Sequence, residues 1–364
     1  MHQHKALQTS CLAACLLLVI LLTTACASPS YYTQAASGHF KLMGLREPIE
    51  DLLANPETDP RLKARLTLAQ EIRVFGIDEL GLADKGGYTQ FARTGGKAVS
   101  WNVVAAPEFS LEPKTWCFVV AGCVPYRGYF KQDAASRFAG KLQEKGYDVS
   151  ITPATAYSTL GWFEDPLLDT MLANGDAELA GLLFHEMAHQ FLYVQGDTLF
   201  NESFASFVEE AGVQLWLESR DMVSSLESWE TTRAAARQFQ VLLESYRAKL
   251  ERLYRSGKPE TDLRLEKARL FDQLEISWGE QVREQWNGSD YFAGWFEREL
   301  NNARLALVQS YRGGTCAFEN LFRDTDHDMP RFLQQASGKA KLDKKQRSNW
   351  LKQPCKPIAP EDNL

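Results

Sequence analysis

No basic arm, no G-x-S-x-G turn, no C-x-x-C pair and no apolar run long enough to span a membrane occur in this sequence. The formal charge of −7 and the lack of a basic patch set nucleic acid aside as a partner. Without G-x-S-x-G, and with neither Ser158 nor Ser203 beside an evident base, a serine hydrolase has little support. The absence of C-x-x-C, with no histidine near Cys117, Cys123, Cys316 or Cys355, argues against metal held by these cysteines. Histidine itself is scarce. Beyond residue 25 only His39, His185, His189 and His327 occur.

Two of those four stand at ligand spacing. His185 and His189 lie four apart in Gly-Leu-Leu-Phe-His-Glu-Met-Ala-His-Gln, residues 181–190, an apolar run that reads as helix. Both rings then project from one face, where two neutral nitrogens can reach one metal ion at roughly 2.0–2.1 Å. Glu186, beside the first of them, can take a proton from water activated by that metal. Its neighbours Leu182, Leu183, Phe184, Met187, Ala188 and Phe191 carry no charge, which predicts a buried helix. Buried imidazole and carboxylate are costly unless paired or ligated. The alternative is two ordinary helix histidines and a solvated glutamate.

A third ligand follows. Val194-Gln-Gly-Asp-Thr198 reads as a turn, with Gly196 suited to a left-handed helix cap. A second helix from Phe200 carries Phe204, Phe207 and Val208 on its apolar stripe. So short a turn folds the second helix back on the first and brings Glu202 toward the histidines. Two histidines, one glutamate and a water make the open four-coordinate site of a catalytic zinc. Glu209, seven residues on, faces the same way and can orient a ligand histidine. An acid favoured by the helix dipole is the competing reading of Glu202.

The N-terminus predicts a compartment. Lys5 precedes an apolar stretch from Leu12 to Leu22, suited to a signal-peptide core, and Thr23-Thr-Ala-Cys26 follows. This resembles a bacterial lipobox, which implies removal of residues 1–25, lipidation of Cys26 and, with Ala27 next, retention at the outer membrane facing the periplasm. Cleavage by an ordinary signal peptidase is the alternative. The loss of one lysine would take the formal charge from −7 to −8. An even set of cysteines beyond residue 26 fits an oxidising compartment. Of these, Cys117 and Cys123 bracket a tight segment and form the preferred disulfide.

H-E-x-x-H followed by Asn201-Glu202, Phe204-Ala205 and Glu209 resembles the gluzincin metallopeptidases, although the spacer is shorter here. Further stretches resemble a family of bacterial lipoproteins assigned as zinc aminopeptidases by analogy. They are Trp116-Cys117 through Cys123 to Phe130, Ala156–Phe163 and Asn301 to Tyr311, and with the metal motifs they cover most of the chain. The resemblance implies a peptide substrate, one zinc ion, and an edge strand along the cleft, for which Ala156–Phe163 is the candidate. It also implies an oxyanion donor, for which Tyr157 is preferred over Tyr311 and His327. The G-x-M-E-N element that binds the substrate amine in many gluzincins is absent, and Glu164 or Asp165 would replace it. The alternative from another class is an envelope lipoprotein with a binding or assembly role and little catalysis.

These readings predict an α+β fold in which a leader, residues 1–25, precedes a single metallopeptidase domain. A loose lead to Gln34 and a helix at Pro60–Gly76 come first. A strand-rich part follows over about 96–163, the zinc helices over about 165–220, and a helical part over about 225–364. Within the last, two charged helices from Ser225 to Glu284 break at Ser256-Gly-Lys-Pro259 and form a hairpin.

Overall fold

The structure, a computed structural model, describes residues 29–118, 122–159, 163–286, 288–308 and 313–356. The leader, Cys26 and Tyr311 lie outside the described residues, as do Leu160, Gly161 and Trp162. The first element is helix α1 (Pro29–Met43), where the sequence predicts a loose lead. The reason is packing. The Tyr31 ring lies 5.4 Å from Phe118 and 5.6 Å from Tyr129, and the Arg127 guanidinium sits 4.0 Å above it. Gln34 fixes the register by donating to the Gly128 carbonyl and accepting from the Phe130 N–H.

Strand β1 (Arg46–Pro48) and the short helix Ile49–Ala54 lead to α2 (Pro60–Asp78). Asp59 caps α2 by accepting from the N–H groups of Arg61 and Leu62, and Pro60 takes the first turn, where no N–H is required. Leu66, Ala69, Ile72 and Gly76 form its buried stripe. There follow β2 (Gln90–Ala92), β3 (Ser100–Pro107), β4 (Trp116–Phe118), β5 (Gly122–Val124), β6 (Arg127–Tyr129), α3 (Gln132–Gln143), β7 (Tyr147–Ala154) and β8 (Leu167–Leu168).

The strands make three small sheets, ordered β1-β2-β8, β6-β3-β7 and β4-β5. In the second, alternation along the strands turns Val103, Ala105 and Val149 toward Ala135, Ala139 and Leu142 of α3. In the first, β8 pairs parallel to β2, so residues 167 and 168 are strand where the sequence predicts helix. Two residues are too few for any periodicity to reveal.

Of the edge strand expected at Ala156–Phe163, the described residues 156–159 and 163 are not strand. β7 ends at Ala154, and residues 156–159 have no regular structure. Side chains capture the backbone that a strand would use. The Thr170 hydroxyl donates to the Thr155 carbonyl, and the Thr159 N–H and hydroxyl both donate to Asp165, at 3.0 and 2.7 Å.

From α4 (Asp176–Phe191) onward the fold is helical. α4 and α5 (Thr198–Glu218) pack side by side in the largest apolar cluster. α6 (Val223–Tyr254) and α7 (Glu260–Gln285) form the long hairpin and enclose Phe239, Leu243, Leu250, Phe271, Leu274 and Trp278. α8 (Asn302–Ala306), α9 (Thr315–Arg323), α10 (Met329–Ala340) and α11 (Lys344–Leu351) close the chain. Phe318 and Phe332 from this last group pack on Phe204 of α5, at 5.6 and 6.1 Å. The fold is α+β. Among the described residues no helix is long and apolar enough to cross a membrane.

Two disulfides complete the fold. Cys117–Cys123 joins directly opposed residues of the β4–β5 hairpin, and Cys316–Cys355 ties α9 to the segment after α11. The second closes a separation of 39 residues, for which the loss of chain entropy in the unfolded state stabilises the fold by about 2–4 kcal/mol. Cys355→Ser should lose about that much in a denaturant titration. A variant as stable as the parent would show that the bond contributes nothing.

Candidate metal centre

The turn between α4 and α5 is held from both sides. Gly196 adopts φ +74°, a conformation that a side chain would strain. The Asn201 amide spans the turn, accepting from the Val194 N–H and donating to the Val194 carbonyl, both at 2.8 Å. Asp197 caps α5 at the Phe200 N–H and also accepts from Arg347 of α11 at 2.8 Å. The helices themselves meet at glycine. A Cβ at Gly181 would lie 3.1 Å from Glu209 Cγ, and one at Gly212 would lie 2.9 Å from the Phe184 ring. Glu202 therefore enters one turn into α5, directly over α4.

His185 Nε2 lies 3.6 Å from one Glu202 oxygen, and His189 Nε2 lies 3.7 Å from the other. The ligand atoms of these three residues all fall within 4.8 Å of one another. The imidazoles meet edge to face, with 4.8 Å between ring centres. Glu209 accepts from His185 Nδ1 at 3.1 Å, and its other oxygen lies 3.6 Å from an Arg233 nitrogen. An imidazole fixed in this way turns its Nε2 lone pair toward the cluster. Two ring nitrogens and a carboxylate converging in this way match the donor set of a four-coordinate zinc.

Burial dominates the electrostatics. Burial alone would lower the His185 pKa, but hydrogen bonds to Glu202 and Glu209 outweigh it and raise it well above the ordinary imidazole value. His189 goes the other way, lowered to about 4 by burial, with Glu202 only partly offsetting. Burial would raise Glu202, yet its bond to His185 and the nearby His189 hold it below the usual carboxylate range. Glu186 is pushed up to about 7, chiefly by burial. The neighbouring His185 opposes that shift, the charges of Glu202 and Asp165 add to it, and a hydrogen bond from Ser158 lowers it.

The remaining candidates are distributed differently. Tyr157 is half-buried, with its ring on Phe130 and its hydroxyl 3.1 Å from His39 Nδ1. Burial, with the Asp165 charge, lifts the Tyr157 pKa to about 12. His327 sits between α9 and α10 with its ring on Phe322, and no described hydrogen bond or ring contact joins it to the three donors. Glu164 is exposed and lies beside Gly86. Asp165, expected to meet a substrate ammonium, is only 1 % exposed and is already engaged. It accepts from Thr159, from Ser158 at 3.5 Å and from the Gln190 amide at 3.3 Å. A buried carboxylate so committed is a structural link, and it straps Ser158 and Thr159 to Gln190 of α4.

Three further residues reach the site unforeseen. Ser158, considered above only as a nucleophile, lies between Asp165 and Glu186. Its single proton can go to either carboxylate, Asp165 at 3.5 Å or Glu186. Tyr193 follows the end of α4, with its ring 6.4 Å from His189. Burial and the Glu202 charge raise its pKa. Its spacing of four from His189 was the available signal. Tyr88 has no local signal. It is fully buried at φ +63°, its hydroxyl without a hydrogen-bond partner, and burial with the charges of Glu186 and Asp165 raises its pKa well above the ordinary value.

Searches of curated proteins and of solved structures find no match to this chain. One family model does match, over residues 30–351, and it spans α4 and α5, the sheets and the helical hairpin. The chain belongs to the family described as "Putative aminopeptidase".

Proposed function

We propose that this chain is a zinc-dependent aminopeptidase held at a bacterial outer membrane by a lipid on Cys26. The observation that carries the reading is the convergence of His185, His189 and Glu202, with the half-buried Glu186 next to the first of them. Family membership supports peptide hydrolysis. A zinc ion bound there supplies Lewis-acid polarisation of the scissile carbonyl and lowers the pKa of water.

The side chains do the rest. Glu186 takes the proton of the attacking water and passes it to the leaving amine. The Ser158 hydroxyl holds the Glu186 carboxylate in position, and Glu209 with Arg233 orients His185. Tyr193, the tyrosine brought beside His189 and Glu202, donates to the oxyanion that develops at the carbonyl. Glu164, exposed next to the anchored Asp165, accepts the substrate's α-ammonium.

Three experiments follow from this arrangement. Elemental analysis of protein purified without chelators should find about one zinc per chain, with most of it lost in His189→Ala. Glu186→Gln should keep the metal and lose activity by about 10²–10⁴-fold, and Tyr193→Phe should keep it and lose about 10²–10³-fold. Loss of zinc from Glu186→Gln as complete as from His189→Ala would make Glu186 a ligand and overturn its role as base.

Free aminoacyl amides should be cleaved and their N-acetylated forms spared, since acetylation removes the charge that Glu164 accepts. Glu164→Ala should narrow that gap. Equal cleavage of free and blocked substrates by the parent protein would point to an endopeptidase.

Metabolic labelling with a fatty acid should mark the protein, and Cys26→Ser should abolish both the label and membrane retention. An unlabelled parent protein would favour ordinary secretion.

A further inference from the structure

The sheet β6-β3-β7 has one face packed on α3 and one only partly covered by residues 294–308, where Thr152 stays exposed. Val103, Ala105 and Val149 pack on α3 in an apolar core. The other face turns Asn102, Ser150 and Thr152 toward residues 294–308, with Asn102 opposite Thr152 in register. Strand alternation would allow an apolar face here too, and a covering segment held by packing alone would favour one. Instead a cavity of about 460 Å³ separates the layers, a size typical of small-molecule sites. Gly128 keeps its floor open, since a Cβ there would lie 3.2 Å from the Asn102 side-chain oxygen.

Two arginines line this cavity and no acid does. Neither Arg298 nor Arg304 has an ion-pair partner among the described residues. Burial, with Arg298 as a like-charged neighbour, pushes the Arg304 pKa down to about 10. Both are nevertheless fixed in place. The Arg304 guanidinium stacks 4.4 Å from the Trp295 ring centre and donates to the Arg298 carbonyl at 2.9 Å. Arg298 donates to the Ile151 carbonyl at 3.0 Å. Two uncompensated, pre-positioned guanidiniums beside neutral hydroxyls form an oxyanion receptor, because the planar fork matches a carboxylate bidentately. Apolar surface comes from both layers, Val104 on the sheet and Leu307 and Val308 on the helical side. An inorganic anion would leave that surface unused. Tyr126 and Arg304 also belong to the two stretches of family resemblance that the metal centre leaves without a role.

We propose that the cavity between the β6-β3-β7 sheet and residues 294–308 binds a small organic ligand through its carboxylate, with Arg298 and Arg304 as the anion contacts. Its apolar body lies on Val104 and Leu307, and Ser150 and Thr152 donate to the remaining oxygen lone pairs. This site shares no residue with the metal centre.

Calorimetric titration of the full chain tests it, with N-acetyl-leucine, its neutral amide and inorganic phosphate as probes. The acid should bind, the amide should not, and phosphate should bind more weakly than the acid. Arg304→Gln should weaken the acid by about tenfold or more. Arg298→Gln, at an exposed side chain whose loss leaves the packing intact, should do the same with an unchanged thermal melt. His189→Ala, which removes a metal ligand, should bind the acid as the parent protein does. The proposal is overturned by equal binding of acid and amide, by binding of phosphate alone, or by no binding of the acid. It is equally overturned if binding survives both arginine substitutions, or if it disappears with His189→Ala and so belongs to the metal centre.

Discussion

Glu202 reaches His185 and His189 only because the turn between α4 and α5 has no slack. Asn201 closes that turn on Val194, and Asp197 ties its far end to Arg347. A shift of one residue in α5 would rotate Glu202 by about 100° away from the histidines, since a helix makes a full turn in roughly 3.6 residues. The Asn201 side chain therefore matters to the cluster as much as His185, His189 and Glu202, although among the described residues it bonds only to Val194. The glycines at 181 and 212 set the remaining coordinate, the distance between the helix axes. Buried ionisable groups are costly, and only a packing this close lets Glu202 and Glu209 compensate the histidines.

A second constraint works through Asp165. It fastens the segment after β7 to Gln190 of α4, while its own carbonyl accepts from the Tyr88 N–H at 2.7 Å. One buried carboxylate thus joins the sheet half of the chain to the metal helix and delivers Ser158 to Glu186. Its pKa is raised by burial, and four hydrogen bonds from Thr159, Gln190 and Ser158 oppose that shift.

What could be read from the sequence was local. The fourfold spacing of His185 and His189, the turn at Gly196 and the sevenfold step from Glu202 to Glu209 each depend on one helix period or one short turn. The hairpin of α6 and α7 was legible for the same reason, with its break at Ser256–Pro259. The rest depends on contacts distant in sequence. Tyr88 comes near Glu186 across 98 positions, and Arg347 reaches Asp197 across 150. The strand expected at Ala156–Phe163 has the aromatic and β-branched content of a strand, but Asp165 and Thr170 capture its backbone. Helix α1 looks loose because its stabilising partners, Phe118, Arg127 and Tyr129, lie about ninety residues on.

Zinc-edge X-ray absorption on the purified protein tests the central claim most directly. Nitrogen and oxygen scatterers at about 2.0–2.1 Å, with the multiple-scattering signature of two imidazoles and no sulfur, are the predicted first shell. Sulfur scatterers near about 2.3 Å, or a spectrum unchanged in Glu202→Ala, would contradict a centre built from His185, His189 and Glu202.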